Sequence, residues 1–216
     1  MKPFPFSHPL VAVALVVAGV FALAGCSVLP TPRKDPTRHY VLTGPAATEV
    51  EAAAAKGTLK VGVRSVQVAP YLDGKAMIVR RAGNEIDYRD YARWAEPLSA
   101  GVSRMLTARL LASGRVARVF PQPYPFDVVR DLDVAVTVLS AEGEVTADGA
   151  TVVSFVCALE VTRAHEGAGA GEVLLRETFV APPIAWTDGD HAALASGLSK
   201  GVAALAERVI AALPAE

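Results

Sequence analysis

DLDVAVTVL (residues 131–139) alternates between apolar residues and polar or small ones, and this alternation decides the fold. Successive side chains of a strand point to opposite faces, so Leu132, Val134, Val136 and Val138 share one face. Asp131, Asp133 and Thr137 lie on the other face. The pattern predicts a β-strand with one buried and one solvated face. The two aspartates fit a solvated strand face better than a calcium site.

Two further strands and a helix are predicted after this segment. The strands span Thr151–Thr162 and Glu172–Val180, and the residues that join them are predicted to form an exposed, mobile loop. From about Asp190 to Leu213, apolar residues recur at steps of three and four, which predicts an amphipathic helix packed on the sheet. Its apolar positions are Leu194, Leu198, Val202, Leu205, Val209 and Leu213.

A central helix is predicted over Glu96–Ser113, before the alternating strand. Pro97 suits the first helical position and Gly114 suits the residue after the end. The next segment, Val116–Phe120, is predicted to be a strand. The apolar face of the helix comprises Leu98, Val102, Met105, Leu106 and Leu110.

The N-terminal half adds shorter strands. A first strand starts at His39-Tyr-Val-Leu-Thr and is ended by Gly44-Pro45, and Ala46–Lys56 is either a short helix or a loose connection. Valine-rich Thr58–Val68 changes its buried parity near Arg64-Ser65, which indicates a bulge or bend. Ala76–Arg80 and Glu85–Tyr88 fit a hairpin of two short strands. This order of elements predicts an α/β fold, with a mixed β-sheet flanked by two main helices.

The chain begins with a segment typical of bacterial lipoproteins. An apolar run from Leu10 ends in Leu23-Ala-Gly-Cys26, and Lys2 is the only charged residue before it. We interpret residues 1–25 as a signal peptide, Cys26 as the lipidation site, residues 26–38 as a proline-rich tether and residues 39–216 as a single domain. The alternative is an uncleaved transmembrane anchor. Two or three acyl chains on Cys26 would give a stable membrane anchor.

Composition excludes several other classes. The 216 residues carry a formal net charge of −1, and this near-neutral charge gives no electrostatic argument for nucleic-acid binding. Only two cysteines are present, so lipidation of Cys26 leaves no intramolecular disulfide. Cys157 lies on the apolar face of its predicted strand and is expected to be buried.

Motifs for catalysis are absent from the sequence. His39, His165 and His191 are widely separated and lack metal-ligand spacing, so neither a metal, a cofactor nor an enzymatic activity is predicted. Gly167-Ala-Gly-Ala-Gly precedes a predicted strand, whereas a phosphate-binding loop precedes a helix. A lipid-anchored hydrolase therefore has no supporting set of residues.

Trp94 and Glu96 immediately precede the central helix. A carboxylate near a helix N-terminus interacts favourably with the helix dipole. We interpret Trp94 as the residue that packs this helix onto the sheet, with a contact to a partner protein as the alternative.

Four stretches together resemble the ABC-type transport auxiliary lipoproteins, the PqiC-like group. They are Tyr40-Val-Leu, VGVRSVQVAPYLD (residues 61–73), Ile78-Val-Arg-Arg and YARWAEPL (residues 91–98). The resemblance implies a three-layer α/β fold like the N-terminal domain of TolB, with no catalytic site. It implies an outer-membrane lipoprotein that faces the periplasm and works with an MCE-domain protein, an ABC permease and an ATPase in phospholipid transport. Some members of the group form rings, so a homo-oligomeric ring is also implied.

The resemblance assigns the lipid to Cys26 and tentative partner contacts to a few signature positions. These positions are Tyr71, Leu72, Arg80, Trp94 and Glu96. Burial in the core is the alternative for Leu72 and for Leu98. A second hypothesis is an assembly or secretion accessory lipoprotein, in which a sheet edge pairs with a β-rich client.

Overall fold

The elements of the chain follow the predicted order. A computed structural model describes residues 34–82, 84–125, 127–165 and 171–214. The strands are β1 (Arg38–Tyr40), β2 (Leu59–Val63), β3 (Gln67–Val68), β4 (Ala76–Arg81), β5 (Glu85–Trp94), β6 (Val116–Pro121), β7 (Leu132–Val145), β8 (Thr151–Arg163), β9 (Val173–Val180) and β10 (Ile184–Ala185). The helices are α1 (Ala47–Ala54), α2 (Leu98–Ala112) and α3 (His191–Ala211), and Pro70–Leu72 forms a 3-10 turn.

Strand β7 is the central strand of one mixed sheet. Along one edge it pairs antiparallel with β8, from Leu132 opposite Arg163 to Val145 opposite Thr151. Along its other edge it pairs in parallel with β2, then β3, then β4. Strands β6, β5 and β1 extend this side, while β9 and β10 pair with β8. The predicted mixed sheet is confirmed.

The helices cover one face of this sheet. Helix α3 packs on β7 and β8, and it also contacts α2, which packs near β3 and β6. Gly197 and Gly201 let α3 approach β8, because a Cβ there would lie within 3.0 Å of Val153 or Phe155 side-chain atoms. All the apolar positions predicted for α2 and α3 are buried. The α/β class is therefore confirmed, whereas the likeness to TolB stays a prediction.

Several boundaries differ from the predicted ones. The first strand ends at Tyr40, and the alanine-rich segment forms α1, which buries no residue. Segment 58–68 splits into β2 and β3, because residues 64–66 leave the ladder with β7. Strand β5 reaches Trp94 and is much longer than predicted. Pro97 is the extended N-cap of α2 instead of its first helical residue.

The polar face of β7 is the main correction to the sequence interpretation. Asp133 is not solvated, because its side chain is 12% exposed and pairs with Arg130. Asp131 is exposed, as predicted, and it accepts a 2.7 Å hydrogen bond from the Lys60 N–H. The register of β7 against β8 shifts at Leu139, and the strand then continues to Val145. After the shift, Glu142 lies opposite Ser154 and on the same face of the sheet. This face, opposite the helices, therefore carries paired charges.

Candidate functional site

The proposed lipid site and several other predicted features lie outside the described residues. Cys26, the signal peptide and most of the tether belong to this group, as does the glycine-rich part of the loop before β9. Within the described ranges, no helix is long and apolar enough to cross a membrane. The anchor therefore stays a prediction from the sequence.

Tyr71 is held in the 3-10 turn that connects β3 to β4, and its hydroxyl reaches the face of the sheet that no described α-helix covers, which we call the helix-free face. Its hydroxyl lies 2.9 Å from Glu142 Oε2 and 3.0 Å from the Leu139 carbonyl, and it can donate to either. It accepts a hydrogen bond of 3.0 Å from Arg80 Nη2. Pro70 begins the turn and Leu72 is buried in the core. Tyr71 thereby ties the turn to the point where the register of β7 shifts.

Arg80 and Glu142 form the charged part of this cluster. Arg80 Nε lies 2.8 Å from Glu142 Oε1, and the Glu142 side chain is fully buried. The Ala141 N–H donates to Glu142 Oε2 at 3.0 Å. A buried carboxylate needs such partners, because an unpaired charge in the interior is strongly unfavourable. We call Tyr71, Arg80 and Glu142 the Tyr71 cluster.

The Tyr71 cluster holds the tyrosine neutral and the arginine charged. Burial first, and then the charge of Glu142, raises the pKa of Tyr71 to about 12. Burial lowers the pKa of Arg80, but the hydrogen bond and charge of Glu142 outweigh it, so the net shift is upward. The cluster therefore contains one ion pair and a neutral hydroxyl bridge.

Tyr88 and Leu139 contact Tyr71 of the cluster and are themselves partly exposed to solvent. The Tyr88 hydroxyl donates to the Tyr71 carbonyl at 3.3 Å, and Tyr88 is 50% exposed. Leu139 is 42% exposed, and Tyr91, in the irregular part of β5, is 61% exposed. Tyr88 is paired with Ile78 across the hairpin and shares the helix-free face with Arg80. We call Tyr88, Tyr91 and Leu139 the tyrosine surface.

The other signature positions separate into the core and a surface ion pair. Trp94 is buried at the end of β5, as the interpretation of a packing role expects, and Leu98 is buried in α2. Glu96 pairs with Arg104, whose Nη2 also donates to the Leu42 carbonyl at 2.9 Å. The structure thus brings Tyr71 and Arg80 together and leaves Glu96 apart from them. Their roles in partner binding stay predictions.

Glu142 is the cluster member that sequence reasoning missed. Its signal was an acidic residue between Ala141 and Gly143, beyond the end of the predicted strand. Continued alternation would place Glu142 on the apolar face of Val138, and the register shift at Leu139 moves it to the opposite face. Its two partners are 62 and 71 positions away in the sequence, so only the tertiary structure identifies them.

The remaining reactive side chains do not converge among the described residues. Burial raises the pKa of the Cys157 thiol to about 12, which keeps it protonated at neutral pH. Ser154 shares a hydrogen bond of 3.1 Å with Ser140, and among the described residues no histidine bonds to it. No group of three or more potential metal-ligating side chains occurs in the described ranges.

Comparisons with known proteins address both fold and family. A family model described as ABC-type transport auxiliary lipoprotein component matches residues 40–210. A crystal structure of a Xanthomonas campestris protein assigned to the family model DUF330 is similar, with a TM-score of 0.64 and 16% identity, covering 81% of this chain and 93% of that one. A crystal structure described only as an uncharacterized protein has a TM-score of 0.58 and 20% identity, covering 80% and 95%. No curated protein matches significantly.

Proposed function

The chain belongs to the ABC-type transport auxiliary lipoprotein component family, and from this premise we propose that it is a non-catalytic subunit of an MCE-type phospholipid transport system. In this proposal the lipid on Cys26 anchors the domain at the outer membrane, facing the periplasm. The domain docks the periplasmic MCE-domain protein, which works with an ABC permease and an ATPase. The observation that carries the proposal is the family match, which extends from β1 into α3.

The tyrosine surface is the docking area that we propose. Tyrosine is enriched at protein interfaces, because its ring provides apolar contact area and its hydroxyl a hydrogen bond. The Tyr71 cluster fixes the backbone beneath this surface through the Tyr88 hydrogen bond. In this arrangement Tyr71 and Arg80 support the contact, and the exposed part of Arg80 can join it.

Site-specific photocrosslinking tests the docking proposal. A crosslinking amino acid replaces Tyr88 or Tyr91 in the full-length lipidated protein, and the same substitution at Val180 provides a control that is also exposed. We expect crosslinks to an MCE-domain protein from the two tyrosine positions and none from Val180. Crosslinks from Val180 alone, or no MCE-domain protein in repeated pull-downs, would contradict the proposal.

Membrane fractionation tests the proposed location. We expect the wild-type protein, with Ser27 after the lipidated cysteine, in the outer-membrane fraction. Ser27→Asp is expected to shift it to the inner membrane, and a Cys26→Ala variant with a cleavable signal is expected to fold but fail to complement a deletion. Full complementation by the soluble variant would show that anchoring is dispensable.

An assembly or secretion role is the second candidate, and it rests on the edge of the sheet. Strand β9 pairs only with β8 among the described strands, so its outer edge is open to another strand. Crosslinks from Thr178 and Val180 to a β-rich client, without an MCE-domain protein, would favour this candidate.

A further inference from the structure

A cleft opens on the helix-free face where the chain leaves the sheet between β2 and β3. It has a volume of about 470 Å³ and lies beside β7 and the segment that connects β6 to β7. Its size falls within the usual range for small-ligand sites. Besides Asp133, its polar lining comprises Arg64, Ser65, Gln67, Gln122, Tyr124 and Thr137.

Beside the cleft lies a second tyrosine, arginine and carboxylate cluster. The Arg130 guanidinium lies 3.8 Å from the centroid of the Tyr124 ring and forms an ion pair of 2.8 Å with Asp133. Gly62 makes room for this pair, because a Cβ there would collide with the Asp133 carboxylate. Asp133 also lines the cleft, but both its oxygens accept hydrogen bonds from Arg130. The only carboxylate in the lining is therefore neutralised.

Two side chains in the cleft, Tyr124 and Arg64, carry donors suited to an anion, whereas the Gln67 amide already donates to the Ser65 carbonyl at 3.2 Å. The Tyr124 hydroxyl oxygen is buried and has no hydrogen-bond partner of acceptable geometry in the described structure. Burial and the Asp133 charge raise the pKa of Tyr124, and Arg130 and Arg64 oppose this rise. Arg64 has no carboxylate within 4.0 Å among residues 34–82, 84–125, 127–165 and 171–214. Among the described residues, Arg64 is thus an exposed cation without a carboxylate partner, and it lies close enough to the Tyr124 hydroxyl to lower its pKa.

This combination matches a phosphate group. Guanidinium groups bind phosphate oxygens through charge-assisted hydrogen bonds, and neighbouring hydroxyls and amides can donate to the remaining oxygens. Seven of the nine residues that line the cleft are polar or charged, so it offers a headgroup several hydrogen-bonding groups. We infer that this cleft binds the phosphate of a phospholipid headgroup, with Arg64 as the cationic anchor and the Tyr124 and Thr137 hydroxyls as additional donors. The inference deepens the proposed function and depends on it for the source of the phosphate.

Binding of soluble probes to the full-length lipidated protein in detergent tests this inference. The probes are inorganic phosphate and glycerophosphoglycerol, a headgroup phosphodiester without acyl chains, and phosphorus NMR reports binding. We expect the wild type to bind the phosphodiester and Arg64→Gln to weaken it about 10-fold or more, since bonds to charged groups contribute about 1.5–3 kcal/mol. Arg118→Gln removes the same charge from an exposed position on β6 and is expected to bind like the wild type.

Tyr124→Phe separates binding from folding. Removal of a buried hydroxyl without a partner is expected to leave the melting temperature unchanged or raised, while phosphodiester binding falls several-fold. Equal phosphodiester binding by Arg64→Gln and the wild type would overturn the inference. If the protein binds inorganic phosphate but not the phosphodiester, the ligand is not a phospholipid headgroup. Recovery of the MCE-domain protein by Arg64→Gln is expected to be normal, so loss of headgroup binding and loss of docking are distinguishable.

Discussion

Each end of β7 carries a cluster of one tyrosine, one arginine and one carboxylate, but the two clusters differ in how fully their polar groups are hydrogen-bonded. At one end, Tyr71, Arg80 and Glu142 satisfy one another, and the carboxylate is fully buried. At the other end, Arg130 pairs with Asp133 and stacks on Tyr124, but the tyrosine hydroxyl has no partner in the described structure. A cluster with a purely structural role needs a partner for every buried polar group. A buried hydroxyl without a hydrogen-bond partner, beside an arginine without a carboxylate partner, instead indicates a place for a ligand.

Arg80→Ala is the strongest way to break the complete cluster. It leaves the carboxylate of Glu142 buried without its cation, so we expect the free energy of unfolding to fall by about 3–5 kcal/mol. Arg176→Ala removes the partner of Glu160 from a pair whose arginine side chain is 66% exposed, and it is expected to change stability by about 0–1 kcal/mol. Urea unfolding measures both values. Equal effects would mean that burial of Glu142 is not what makes its pairing important.

Gly62→Ala tests the incomplete cluster through its packing. A new Cβ would lie 2.8 Å from Arg130 Nε and would also press on Asp133, so we expect a loss of about 1–3 kcal/mol from displacement of the ion pair. Gly74→Ala is the matched control, because no atom lies within 4 Å of a Cβ at that position. Thermal unfolding of the two variants gives the comparison. A stable Gly62→Ala variant would show that the pair can shift without loss.

The two tyrosines provide the smallest and most direct contrast. Tyr71→Phe removes a hydroxyl that bridges Glu142 and Arg80, and we expect a loss of about 1–3 kcal/mol. Tyr124→Phe removes a hydroxyl without a described partner and is expected to be neutral or stabilising. A destabilised Tyr124→Phe variant would indicate that this hydroxyl makes a structural hydrogen bond.

Alkaline pH sharpens the tyrosine contrast. The folded-state pKa of Tyr71 is raised to about 12, above the value of about 10 for an unfolded tyrosine, so the folded state holds its proton more tightly. Its contribution to stability is present below pH 10 and is lost as the pH rises through 12. Between pH 10 and 12, the wild type should lose stability faster than Tyr71→Phe. Parallel curves for the two proteins would contradict the raised pKa.

Much of the fold could be predicted from local patterns. The buried faces of β7, α2 and α3 follow from periodicity alone, because alternation or steps of three and four determine which side chains share a face. The hairpin of β4 and β5 and the burial of Cys157 are likewise confirmed. In segment 58–68 the change of parity near Arg64-Ser65 correctly indicated a bulge, since the four steps from Val63 to Gln67 lie opposite three steps on β7, but it did not predict the division into β2 and β3.

The sequence by itself determined the α/β class, the family resemblance and the predicted lipid anchor at Cys26, because each depends on residues close together in the chain. Only the tertiary structure decided how the polar face of β7 is used. Glu142 and Tyr71 are 71 positions apart, and Arg64 meets Tyr124 and Thr137 where β2 and β3 separate. Such clusters leave little local signal, because pairing of distant charges is set by strand register and by segments that cross the sheet.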